Sequence, residues 1–99
     1  MSNYIEYVAQ DRRLMALRIL RGIPERRANH FVLRSVLAST GYEELAPTVH
    51  NDLLWLAKQG LVLTEELDGG ILLGTLTDLG DQVARGLVRV AGVAIPAVG

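Results

Sequence analysis

The hydrophobic period of this chain changes at Gly60, and that change restricts its fold more than any other feature. Before it, Val49, Leu53 and Leu56 recur at i, i+4 and i+7, which is one face of a helix. After it, Leu-Val-Leu-Thr-Glu-Glu-Leu (61–67) alternates, with Leu61, Leu63 and Leu67 expected on one strand face and Thr64 and Glu66 on the other. Asp68-Gly69-Gly70 then reads as a hairpin turn, because glycine accepts the positive φ such turns demand. Residues 71–76 form the return strand. A helix that runs directly into a β-hairpin excludes both a pure helical bundle and a parallel α/β sheet.

The rest of the chain supplies helices around that unit. Residues 4–21 predict a first helix, with Asn3 and Glu6 as a capping box. Its apolar stripe is Ile5, Val8, Leu14, Leu17 and Leu20, and Arg12, Arg13 and Arg18 fall largely outside it. Gly22 and Pro24 stop it. Residues 24–28 read as a turn with room for one short strand. Asn29 caps a second helix over 30–39, whose buried face is expected to be Phe31, Val32, Val36 and Leu37. Pro47 sits in the first turn of a third helix, 46–59, and Thr77 caps a fourth over 78–85. Residues 87–99 are an apolar, Gly-interrupted tail with no clear period. The expected division is a domain over 1–86 and this tail.

Ninety-nine residues, 49% of them apolar, suffice for one core. The chain has no cysteine, which excludes disulfides and thiolate metal sites. Two histidines without further ligands do not make a metal site, and no cofactor is expected. No apolar run is long enough to cross a bilayer, and the first residues lack the layout of a signal peptide, so a cytoplasmic protein is expected. No nucleophile, base or phosphate-cradling loop comes together, so no enzyme is expected. The net charge of −1 is unevenly spread. Residues 1–34 carry seven arginines against three acids, and residues 35–99 carry three cations against eight acids.

Two local strings point to a family. VHNDLLWLAKQGLV (49–62) resembles the recognition helix of bacterial winged-helix regulators, and LTDLGDQVA (76–84) resembles the L-T-x-x-G-x-x-x-A string that follows the wing in MarR-, PadR- and ArsR-like proteins. They stand in the right order, one hairpin apart. With DRRLMALRIL and RANHFVLRSVL, the chain is most similar to the small ArsR-like winged-helix proteins of Mu-like transposable phages and prophages. The resemblance implies an α+β fold, a winged helix-turn-helix: a three-helix core, a two-stranded β wing and a closing helix.

That fold implies double-stranded DNA as the partner, a role in transcription regulation and a homodimer, with helix 46–59 as the recognition helix. The side chains then offered to DNA are Thr48, His50, Asn51, Trp55 and Lys58, with Asp52 also turned outward. Asn51 suits adenine, and Thr48 or His50 suits a phosphate or a base edge. Supporting positive charge would come from Arg12, Arg13, Arg26 and Arg27. Against this stand the absence of arginine on the helix and the acidic wing of Glu65, Glu66 and Asp68. The DNA-binding regulator is the first reading; the acidic wing, with Trp55 and the apolar tail, better fits the alternative, a winged-helix protein-interaction module serving a phage protein partner without DNA. Its interface would be Trp55 with Leu87, Val88, Val90, Val93 and Ile95 of the tail. The tail packs either on the first helix or on a second copy.

Overall fold

Asn29 sets the point where strand becomes helix. Its backbone is extended, and its Oδ1 accepts the amide of Val32 at 2.9 Å, closing the first turn of the helix that follows. The computed structural model describes residues 2–97. Among these, the order is α1 (Ser2–Gly22), β1 (Arg27–Asn29), α2 (His30–Ser39), α3 (Ala46–Lys58), β2 (Val62–Leu67), β3 (Ile71–Leu76) and α4 (Asp78–Ala84). This is an α+β arrangement consistent with a winged helix. No described helix is long and apolar enough to cross a membrane.

The sheet has three antiparallel strands in the order β1-β3-β2, one more than a simple hairpin. The short strand allowed for near residues 24–28 is β1, which pairs Arg27 with Thr75 and Asn29 with Leu73. The hairpin pairs Val62 with Leu76 and Leu67 with Ile71, with Gly69 and Gly70 at φ 80° and 75° in the turn.

Leu17, Leu20, Leu33, Leu37, Val49, Leu53, Leu56 and Leu61 are fully buried, each stabilising the fold by about 1.5–3 kcal/mol. Val49, Leu53 and Leu56 thus point inward as their spacing predicts. Gly74 lets α3 lie close on the sheet, since a Cβ there would stand 2.9 Å from a Leu53 methyl. Thr77 joins the hairpin to α4. Its hydroxyl accepts the Gly80 amide at 3.0 Å and donates to the Gly60 carbonyl at 2.7 Å, while its amide donates to the Leu61 carbonyl.

Four packing expectations need correction. α1 starts at Ser2, so Asn3 lies inside the helix and is not its cap; Glu6 pairs with Gln10 and Arg13 instead. Ile5 is exposed, because the first turns of α1 overhang the core and burial begins at Ala9. On α2, Phe31 and Val32 are exposed, and His30, Leu33 and Leu37 face inward. On β2, Leu63 is 68% exposed and Leu67 is also exposed, while Val62 is buried.

Candidate functional site

Proline in its first turn starts α3, and Gly60, at φ 77°, ends it. With 49, 53 and 56 inward, helical spacing leaves Asn51, Leu54 and Lys58 exposed and Thr48, His50 and Trp55 half-buried. Asn51, Leu54, Trp55, Ala57 and Lys58 line a shallow, mostly apolar concavity of about 570 Å³. Leu54 was not anticipated on this surface. Its place was legible from spacing, three residues after Asn51 and four before Lys58.

Asp52 is not on the outer face. It is 5% exposed and pairs with Arg12, which is 8% exposed. The guanidinium is bidentate: Nη2 donates to Oδ1 at 3.0 Å and Nε to Oδ2, with Glu44 3.5 Å from Nη1. The hydrogen bond to Asp52 raises the Arg12 pKa further, against the opposing effect of burial. Arg12 is therefore a buried structural cation and does not supply the exposed positive charge expected of it.

Arg13 is also turned inward. Its guanidinium carbon lies 4.2 Å from the Trp55 ring centroid, and its Nη1 donates to the Gly92 carbonyl at 2.9 Å. Trp55 is also held at one edge by the tail, since a Cβ on Gly92 would stand 2.5 Å from Cζ2. Trp55 is thus partly a packing residue, linking α1, α3 and the tail.

The tail folds back on α1. Val93 is buried, Val88 and Val90 are half-buried against the core, and the Ala94 amide donates to the Gln10 carbonyl at 3.2 Å. Of the five apolar tail residues expected to offer an interface, Val88, Val90 and Val93 are taken up by the chain's own core. Leu87 and Ile95 stay exposed.

Arg26 and Arg27 are exposed. Arg26 reaches Asp81 of α4 at 3.4 Å, and Arg27 lies 3.8 Å from Glu25. Glu65, Glu66 and Asp68 are fully on the surface of the hairpin end.

His30 is the first residue of α2, next to the Asn29 cap. It is buried, its Nδ1 accepts the Leu72 amide at 3.1 Å, and His50 meets it edge-on at 5.1 Å between centroids. An accepting Nδ1 carries no proton. Burial holds the His30 pKa below the usual imidazole value, and the neighbouring His50 pushes the same way.

Uncharacterized protein gp26 of Escherichia phage Mu is 38% identical to this chain over 91 residues, which span 92% of the chain and 93% of the phage protein. The chain belongs to the gp26 family. No family profile and no solved structure matches it. What distinguishes this gp26-family member at its third helix is therefore read from its own geometry: a concave apolar surface edged by Asn51 and Lys58, backed by two arginines that face inward.

Proposed function

We propose that the chain is a non-enzymatic, winged-helix protein-interaction module of a Mu-like phage or prophage, presenting the exposed face of α3 to another phage protein. One observation carries this reading. Arg12 and Arg13, the cations that lie behind α3, are consumed by Asp52 and by Trp55 with Gly92, so the helix offers a single lysine, Lys58, and no arginine to a phosphate backbone. A duplex carries one negative charge about every 1.7 Å, and binding to it rests on several cationic contacts. The three acids at the hairpin end oppose it further. The Asn51–Leu54–Lys58 surface, apolar in the middle and polar at its edges, suits a protein partner better. The relative in phage Mu supports the phage setting.

The test uses the whole chain with photo-crosslinking residues at Asn51 and Lys58, expressed during phage production. Crosslinking to one phage-encoded protein, abolished by Leu54→Arg, is the expected result. In parallel, mobility shift at low salt on fragments of its own phage genome should show no complex. A shift lost on Asn51→Ala would overturn the proposal in favour of a DNA-binding regulator.

A further inference from the structure

We propose that the arginine cluster around Asp81 is a docking site for the acidic hairpin end of a second copy of this chain, so that copies join head to tail. This uses neither the α3 surface nor the reading built on it.

The cluster is assembled from three separate elements. Asp81 of α4, whose side chain is 13% exposed, meets Arg21 Nε at 2.7 Å, Arg26 Nη1 at 3.4 Å and Arg85 Nη1 at 3.6 Å. One carboxylate cannot satisfy three guanidinium groups, each with five donors. The three side chains remain about half exposed (45–49%) and so stay accessible to a further anionic group. Arg18, Arg21 and Arg85, together with Ala84 and Pro96, line a polar concavity of about 470 Å³. A spare positive charge is thus concentrated in a shaped recess.

The backbone is strained to complete this cluster. Glu25 and Arg26 both adopt left-handed conformations, at φ 60° and 56°, next to one another. For residues other than glycine this costs about 1–2 kcal/mol each. The turn carries Arg26 to Asp81, and strain held in that way is characteristic of working surfaces.

The complementary surface is on the same chain and is not paired with its own cluster. Glu65, Glu66 and Asp68 place three carboxylates within four positions, all exposed, and none forms an ion pair among the described residues. Arg27, beside the cluster, sits opposite Thr75. Along the same ladder Glu65 sits opposite Leu73 and Glu66 opposite Leu72, with Asp68 in the turn beyond the Leu67–Ile71 pair. No ion pair among the described residues joins these acids to the cluster of the same chain, which leaves both for a second molecule. Each copy then keeps one free surface of each kind, and the contact propagates into a ring or a filament.

The experiment is sedimentation velocity on the full chain and two charge-reversed variants. The wild-type protein should associate with rising concentration at low salt and disperse at about 0.5 M salt. Arg18→Glu/Arg85→Glu should be monomeric, and so should Glu65→Lys/Glu66→Lys. An equimolar mixture of the two variants should associate again, because the intact acidic end of one meets the intact cluster of the other and the two reversed surfaces are complementary in turn. That mixed assembly also certifies that both variants are folded. A monomeric wild type at low salt, association that survives both reversals, or a mixture that stays monomeric would each overturn the proposal. So would a cluster whose reversal abolishes duplex DNA binding while leaving self-association unchanged.

Discussion

Arg12 and Asp52, forty residues apart in sequence, form a two-pronged ion pair under α3 and tie α1 to it. Both groups are nearly out of water. Removing Arg12 leaves Asp52 charged, buried and unpaired, and removing Asp52 leaves Arg12 with only the longer Glu44 contact, a cost of about 3–5 kcal/mol. Arg12→Ala and Asp52→Ala should each lower the unfolding free energy by that order in urea titrations at neutral pH. Arg12→Met combined with Asp52→Leu should recover most of the loss, because the apolar pair leaves no charge to desolvate. A double variant as unstable as either single one would show that the pair does more than satisfy itself.

Stability should also fall in mild acid. His30 accepts an amide at Nδ1 and lies in the core with its pKa lowered, so the folded state favours the neutral ring. The unfolded chain takes up a proton near pH 6.5, before the folded chain does. Its contribution is therefore complete above that pH and is lost as pH falls from there through the folded pKa. Urea midpoints at successive pH values below 7 should decline, and the decline should flatten in His30→Gln, which has no titrating ring. An equal slope in both proteins would assign the effect to other groups.

The helices and the hairpin were legible in the sequence, whereas three of the faces they present were not. Alternation from Leu61 put Leu63 inside. In the structure Leu61 belongs to the turn: its amide bonds to Leu56 and its carbonyl accepts Thr77. The strand starts one residue later, and a one-residue shift reverses every side chain. On α2, apolar residues occupy both sides of the helix, so hydrophobicity alone did not choose between Phe31 and Leu33. The His30–Leu72 hydrogen bond is a contact across 42 residues, which no local pattern contains. Arg12 and Asp52 were misplaced because charge suggests surface. Their spacing already said otherwise: Arg12 falls with Ala9, Ala16 and Leu20, and Asp52 with Val49, Leu53 and Leu56.

Gly80 explains why a glycine stands in the string after the hairpin. A Cβ at this position would lie 2.1 Å from the Leu61 carbonyl oxygen and 2.7 Å from a Leu76 methyl. The nearer atom is backbone, held by the Thr77 amide, and cannot swing aside. Gly80→Ala must therefore push α4 off the end of the sheet, at a cost of about 1–3 kcal/mol or more. Thermal unfolding should report a clearly lowered midpoint. Gly22→Ala is the control, since its Cβ would meet nothing within 4 Å, and it should leave the midpoint close to wild type.

The tail should behave as part of the fold. Truncation after Gly86 removes Val93 from the core, the Gly92 carbonyl from Arg13 and the backbone that covers one edge of Trp55. The lost burial of Val93 alone is worth about 1.5–3 kcal/mol. Trp55 would gain water on that edge, so its emission should move to longer wavelength together with the drop in stability. Gly92→Ala should move both readouts in the same direction with the full chain present. Its φ of 94° disfavours any side chain, and its Cβ would collide with the indole at 2.5 Å. If the truncated chain kept wild-type stability and emission, the tail would be a separable segment rather than the third wall of the Arg13–Trp55 contact.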